Sequence, residues 1–250
     1  METVRYPILL LDADGTLYDF EASQAHALER AYHGAGFAST LPYSPEILDC
    51  YSRINQSWWR KLERGECTKE ELQLGRFREF FAALSLSFDP AEFNRMYMEE
   101  LGNGTYLLPH AEEVCRELAK TCTLYIVTNG VSRTQRRRIG GSALNGLFRE
   151  IFVSEDAGVP KPEIGYFEYV FSRLGEVDHR NILLIGDSLS SDMQGAENAG
   201  LDSCWLNPKG APLPERPHIT FTIRDLRELS AIVKTGKPGE KTFKKARQRL

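Results

Sequence analysis

Five short apolar runs punctuate this chain: Ile8–Leu11, Leu124–Val127, Ile151–Val153, Ile182–Ile185 and Ser203–Leu206, with Ile219–Ile223 as a weaker sixth. A strand with one wet face alternates apolar and polar residues, so runs that do not alternate belong to strands buried on both faces. Helical patterns lie between them. Val114 and Leu118 share a stripe within 111–120, Val170 and Phe171 fall within 166–174, and 192–199 is rich in helix formers. Strand alternating with helix predicts a parallel α/β sheet with helices on both faces.

Residues 20–102 break this rhythm, because no strand-like run occurs there. Ser44-Pro45 reads as an N-cap followed by a first-turn proline. It opens a helix with Ile47, Tyr51, Ile54, Trp58 and Leu62 at steps of three and four. Thr68-x-x-Glu71 has the form of a capping box before a helix bearing Leu72, Phe80 and Leu84. Asp89-Pro90-Ala91-Glu92 starts a third helix. An all-helical insert of roughly 80 residues, enough for a small subdomain, is therefore expected after the first strand. The expected organisation is a sheet domain of 1–18 plus 103–235, a helical subdomain of 19–102 and a basic tail of 236–250. Gly102, Gly104 and Pro109 suit a linker on the return.

Composition limits the partners. A net charge of -4 gives no global basic field for nucleic acid or anionic lipid. The tail carries six basic residues and one acid, with Phe243 its one aromatic, and reads as a solvated tail rather than a nucleic-acid arm. The five cysteines (Cys50, Cys67, Cys115, Cys122 and Cys204) form no CxxC pair and read as reduced thiols, which predicts a cytoplasmic protein. No apolar stretch approaches the length of a membrane span, and Asp12 interrupts the first apolar run too early for a secretory leader. The five histidines show no metal-ligand spacing.

The strand ends carry the chemistry. Asp12-Ala13-Asp14-Gly15-Thr16 follows the first run and Thr128-Asn129-Gly130 the second. Gly158-Val159-Pro160-Lys161-Pro162 comes soon after the third, and Gly186-Asp187-Ser188 follows the fourth, with Asp192 shortly beyond. Ligands of open parallel sheets bind outside the carboxyl ends of the strands. Each motif alone has a plain structural reading: Asp12 a helix cap or surface acid, Thr128-Asn129 a turn, Lys161 a solvated loop lysine, Asp192 a helix cap. Their convergence on one sheet edge favours a functional reading of Asp12, Asp14, Thr128 and Lys161.

Those residue types suit phosphoryl transfer. Two carboxylates about 4 Å apart repel by roughly 4 kcal/mol at an effective dielectric near 20, a penalty that a hard divalent cation removes. An all-oxygen set drawn from Asp12, Asp14, Asp187 and Asp192 favours Mg²⁺ shared with a substrate phosphate. Thr128 supplies a hydroxyl, the backbone near Asn129 and Gly130 supplies N–H donors, and Lys161 supplies a point charge.

DADGT, TNG, KP and GDSLSSD, in that order, resemble the motif set of the haloacid dehalogenase superfamily of aspartate-nucleophile phosphotransferases. The resemblance covers the sheet domain from Ile8 to about Leu206 and implies a Rossmann-like core, with the insert as its helical cap. It implies that Asp12 is the nucleophile and forms an aspartyl-phosphate, and that Asp14 protonates the leaving oxygen and then activates water. It further implies that Thr128 and Lys161 hold the phosphoryl group. Mg²⁺ would be bound by Asp12, the Asp14 carbonyl and Asp187, with Asp192 behind them orienting Lys161 or a metal-bound water.

Further features resemble the bacterial noncanonical pyrimidine 5'-nucleotidases: DADGTLYDF, Asn55 with Trp59, Leu72–Phe77, Gln135 and Arg138 after TNG, and Cys204-Trp205-Leu206-Asn207. Val131, where an aromatic commonly follows TNG, and the pair Gly140-Gly141, which breaks a helix expected after Arg138, depart from that pattern. The resemblance implies a Mg²⁺-dependent phosphatase acting on a small phosphorylated metabolite, a pyrimidine nucleoside 5'-monophosphate. Trp58 keeps step with Ile54 and Leu62 and is assigned to packing, while Asn55, Trp59 and Arg76 are candidates for contact with the base. The alternatives are a sugar-phosphate phosphatase or phosphomutase, a haloacid dehalogenase, and a non-catalytic phosphate-binding regulatory module. A dinucleotide-binding protein is disfavoured because no GxGxxG follows the first strand.

Overall fold

The computed structural model describes residues 4–237. Beyond Lys237 the expected basic tail lies outside the described residues. In chain order the elements are β1 (Ile8–Leu11), α1 (Phe20–Gly34), α2 (Pro45–Glu63), α3 (Lys69–Leu84), α4 (Pro90–Asn103), α5 (Ala111–Leu118), β2 (Thr123–Thr128) and α6 (Ser132–Gly140). There follow β3 (Phe148–Val153), α7 (Ser154–Ala157), α8 (Ile164–Leu174), β4 (Ile182–Gly186), α9 (Gln194–Ala199), β5 (Asp202–Leu206), β6 (Phe221–Ile223) and α10 (Leu229–Thr235). No helix among the described residues is long and apolar enough to cross a membrane.

The six strands form one parallel sheet in the order β3-β2-β1-β4-β5-β6. β1 is central, with Leu9 opposite Leu124 on one side and Leu183 on the other. Side chains alternate between the faces of a strand, and both faces here are apolar and covered. Leu10, Val127 and Leu184 meet Tyr166, Phe167 and Val170 of α8 and Ala196 of α9. Leu9 and Leu11 are fully buried on the opposite face, where α5 packs on β2 and α10 on α5. The sheet domain is therefore the doubly covered α/β layer that the apolar runs predict.

The chain divides into two compact units. The sheet unit runs to Asp19, resumes as Leu107–Ser132 and again from Ser142, while the helical unit comprises Phe20–Tyr106 together with Arg133–Gly141. The sequence places the helical part at 19–102. The structure carries it four residues further and adds a second segment, most of α6. That segment is tied to α4: Thr134 Oγ1 donates to the Met98 carbonyl at 3.4 Å, Arg137 pairs with Glu99 at 3.9 Å, and a Cβ on Gly102 would meet the Arg137 stem at 3.2 Å. α6 runs through Arg138 and ends at the glycine pair.

The core of the helical unit is aromatic. Tyr51, Phe77, Phe80, Phe81, Phe93 and Tyr97 are buried together, with Tyr51 stacked on Phe77 at 5.4 Å and Phe77 edge-on to Phe93 at 4.9 Å. Caps set the helix starts. Thr68 Oγ1 accepts from the Glu71 N–H at 3.1 Å while the Glu71 carboxylate accepts from the Thr68 N–H at 2.8 Å. Asp89 accepts from the Ala91 N–H at 3.1 Å. Ser44 has the extended backbone of an N-cap, but its side chain makes no cap bond. It bonds Glu46 instead, which holds that exposed carboxyl below its ordinary pKa.

Candidate active site

Three of the four sequence motifs begin where a central strand ends. Asp12 follows β1 directly and keeps its ladder, its N–H donating to the Ile185 carbonyl at 2.9 Å. Thr128 is the last residue of β2, and Asp187 follows β4. The strand order reverses beside β1, the topological position where open α/β sheets bind ligands. The chain leaves β1 through a tight turn in which Leu17 and Tyr18 both donate to the Ala13 carbonyl at 2.9 Å. Gly15 sits in that turn at φ +85°, and a Cβ there would stand 2.5 Å from Asp187 Oδ2, so glycine is required for both conformation and space. Gly186 serves similarly by close approach alone: a Cβ would overlap the Asp192 carboxyl group.

The structure brings Asp12, Lys161, Asp187 and Asp192 together. One carboxylate oxygen from each of the three aspartates falls within 4.8 Å of the others. Lys161 Nζ donates to Asp12 Oδ1 at 2.7 Å, to Asp192 Oδ1 at 2.6 Å and to the Val127 carbonyl at 2.8 Å. An ammonium has three protons, so this buried head group is saturated, the condition under which a charge tolerates burial. Asp192 Oδ2 accepts from the Ser188 N–H at 3.1 Å within a π-helical turn, Leu189–Met193, of the kind often found at functional sites. The sequence placed 192–199 in one regular helix. The regular part is Gln194–Ala199, because this wider turn carries Asp192 inward.

The electrostatics follow from burial and from neighbours. Burial lifts the Asp12 carboxyl well above the ordinary carboxylate range; Lys161 opposes that, and Asp192 and Asp187 add to it. Burial pulls Lys161 down, but Asp12 and Asp192 outweigh it and the ammonium stays protonated. Asp187 is pushed up to about 7 by burial first and Asp192 second, and Thr16 Oγ1 donates to it at 3.3 Å. Three carboxylates at such spacing repel one another, and a hard cation with oxygen ligands satisfies all of them. The donor set therefore fits Mg²⁺. Asp192 offers its carboxylate to this group, whereas the half-buried Asp14 side chain lies outside it.

The other predicted residues fall in different places. Thr128 is buried, and its Oγ1 accepts from the Gly130 N–H at 3.1 Å, which folds the turn over the strand end. Asn129, expected at the phosphate, has its side-chain amide on the backbone of Lys161. Asn55 and Arg76 are buried inside the helical unit and bond each other at 3.0 Å. Asn55 also donates to Gln24 at 2.8 Å, and Arg76 to Asn94 at 2.9 Å. The open polar face expected at Asn55 is thus closed by its own neighbours, because an unpaired amide or guanidinium cannot be buried cheaply. Trp59 is half-buried. Trp58 packs as expected: a Cβ on Gly75 would overlap its indole ring, and its Nε1 donates to Glu79 at 2.9 Å.

One contributor escapes the sequence reading. Tyr166, fully buried on α8, donates to the Phe152 carbonyl at 3.0 Å and is bonded by the backbone of Thr128. It thereby ties the end of β2 to β3. A hydroxyl on the otherwise apolar stripe of Phe167 and Val170 is the signal that could have found it.

A parallel sheet with this acid–lysine edge is the architecture of a known class of hydrolases. Residues 6–200 match the model of the haloacid dehalogenase-like hydrolases, and the chain belongs to that family. It is 38% identical over 229 residues to the Bacillus subtilis HAD-hydrolase YfnB, covering 92% of this chain and 96% of that protein. The crystal structure of YfnB bound to magnesium superposes with a TM-score of 0.85 over 92% of this chain and 99% of that one. The pyrimidine 5'-nucleotidases PynA of Streptococcus pneumoniae and YjjG of Escherichia coli are 32% and 29% identical to it. The first match covers 90% of this chain and 93% of PynA, the second 92% and 99% of YjjG.

Proposed function

We propose that the chain is a Mg²⁺-dependent phosphomonoesterase that acts on a pyrimidine nucleoside 5'-monophosphate through an aspartyl-phosphate. The observation that carries the reading is the grip of Lys161 on Asp12. It occupies Oδ1 and leaves Oδ2 as the attacking atom of a nucleophile held at the end of the central strand. Asp12 Oδ2 forms the new bond to phosphorus as the bond to the leaving oxygen breaks, and Asp14 gives that oxygen a proton. Water then attacks phosphorus, Asp14 takes its proton, and the acyl–phosphate bond breaks to return the Asp12 carboxylate and inorganic phosphate. Thr128 and the N–H groups of the following turn hold the phosphoryl oxygens. Asp12, the Asp14 carbonyl and Asp187, with Asp192 beside them, are the residues that would hold Mg²⁺, which supplies charge neutralisation for the phosphate when bound.

The nucleotide assignment is supported by the similarity to PynA and YjjG, which extends over 90% and 92% of this chain. Trp59, half-buried on α2, is the candidate for contact with the base, while Asn55 and Arg76 tie α2 to α3. The test is a panel of phosphate esters with and without Mg²⁺. UMP, dUMP and dTMP are expected to be hydrolysed faster than hexose and triose phosphates, and only with the metal. A preference for sugar phosphates would move the substrate to the other class. Release of chloride from 2-chloropropionate in the absence of metal would overturn the phosphatase chemistry itself.

A further inference from the structure

Lys161 lies in an irregular loop, where a four-carbon stem has ample freedom to wander. Its head group is fixed by Asp12, Asp192 and the Val127 carbonyl, but head-group bonds do not by themselves set where the loop stands. Among the described residues, a single side chain holds the backbone of Lys161. Asn129 Nδ2 donates to the Lys161 carbonyl at 2.9 Å, and the Lys161 N–H donates to Asn129 Oδ1 at 2.8 Å, a closed pair across 32 residues. Val127 and Asn129 flank Thr128 at the end of β2, so that strand end grips Lys161 by both its ammonium and its main chain. Ser154 Oγ donates to the Asn129 carbonyl at 3.3 Å and steadies the residue that does the gripping.

Only a carboxamide presents a donor and an acceptor side by side to match a peptide N–H and C=O. An aspartate keeps the acceptor and loses the donor; a serine or threonine cannot reach both groups. We propose that the Asn129 side chain is a positioning group for Lys161, setting the ammonium against Asp12, and is not a phosphate ligand. This rests on the proposed role of Lys161 in the hydrolysis.

The experiment is a double-mutant cycle on p-nitrophenyl phosphate with Mg²⁺, a substrate whose turnover does not depend on the nucleotide assignment. Asn129→Ala is expected to lower kcat about 10- to 100-fold, the scale of a misplaced catalytic group, with KM nearly unchanged. In the Lys161→Ala background the same change is expected to have almost no further effect, because the group it positions is gone. Asn129→Asp, isosteric and half-competent, is expected to fall between wild type and alanine and guards against misfolding of the alanine variant. Independent losses that multiply, or a rise in KM at constant kcat, would overturn the inference in favour of direct phosphate contact. Wild-type activity in Lys161→Ala would overturn the role of Lys161, and the positioning role with it.

A second readout needs no turnover. The ¹⁵N-ammonium signal of Lys161, assigned by its absence in Lys161→Ala, is expected to be protected from solvent exchange in the wild type and to lose that protection in Asn129→Ala. Unchanged protection would overturn the inference even if the protein proved not to be a phosphatase.

Discussion

Lys161 of the sheet unit and Arg76 of the helical unit are both buried cations, and the protein neutralises them in opposite ways. Lys161 is met by two carboxylates and a carbonyl. Arg76 is met by the Asn55 and Asn94 carboxamides, the Met98 sulfur and the faces of Phe77 and Tyr97, at 4.8 and 5.0 Å, with no carboxylate partner among the described residues. Its Nε has no hydrogen-bond partner among the described residues. Neutral acceptors and rings make a static joint between helices, whereas a lysine shared between acids can respond when the charge on one of them changes. Around these two buried cations, full charge is met by full charge where chemistry is proposed, and by dipoles and quadrupoles inside the helical unit.

The largest test of that contrast is Asp12→Asn. Turnover is expected to fall by roughly 10⁴-fold or more, the scale seen when a nucleophile is removed. The thermal midpoint should hold, because Asp192 still neutralises Lys161. Retained turnover would place the nucleophile elsewhere. Next comes a matched pair. Lys161→Met should lower kcat by about 10³-fold, as for loss of a positioned charge. Arg76→Met should leave kcat of the folded enzyme within about threefold and cost about 2 kcal/mol of stability, because the Asn55 and Asn94 oxygens lose their donor. Denaturant titrations beside steady-state rates decide it. A collapse of kcat in Arg76→Met without loss of stability would erase the distinction between the two cations.

Magnesium and pH should act through the acids of the sheet unit. The folded pKa of Asp187 stands at about 7, above the ordinary value near 4, so the folded chain binds more protons than the unfolded one between these limits. Metal-free stability attributable to this group therefore declines as pH rises from about 4 through 7. Mg²⁺ competes with that proton, so the rise in thermal midpoint with Mg²⁺ should be larger at pH 8 than at pH 5.5. Equal shifts at both pH values would argue against Asp187 as a ligand. Tyr166→Phe should reduce kcat/KM by about three- to tenfold, the value of one net hydrogen bond, through looser placement of Thr128. The smallest effect is expected in the helical unit, where Thr68→Ala should cost about 1 kcal/mol, or roughly 2–4 °C, and leave kcat alone.

The sequence revealed what depends on local pattern. β1 and β4 are flanked on both sides and covered on both faces, and their apolar runs marked them to within a residue. β3 lies at the sheet edge, and its first half, Phe148-Arg149-Glu150, is partly exposed, so the apolar signal began only at Ile151. α1 was not recognised as a helix, because its buried face is made of Ser23, Gln24 and Ala27 as much as Leu28 and Tyr32. The four motifs fixed Asp12, Asp187 and Lys161 at one edge. They could not show that Asn129 serves Lys161, that Tyr166 serves Thr128, or that Asn55 and Arg76 close on each other. Each of those bonds joins residues far apart in the chain, and no periodicity encodes such a meeting.

The helical unit is written in the chain as two pieces, since Arg133–Gly141 belongs with Phe20–Tyr106. A recombination event, natural or engineered, that swaps only the long insert would leave these nine residues behind in the recipient. The orphaned Arg137 would then lose Glu99, and Thr134 the Met98 carbonyl. Exchange of a whole helical unit between relatives therefore demands co-inheritance of a short segment that begins three residues after Gly130, directly downstream of Thr128-Asn129-Gly130.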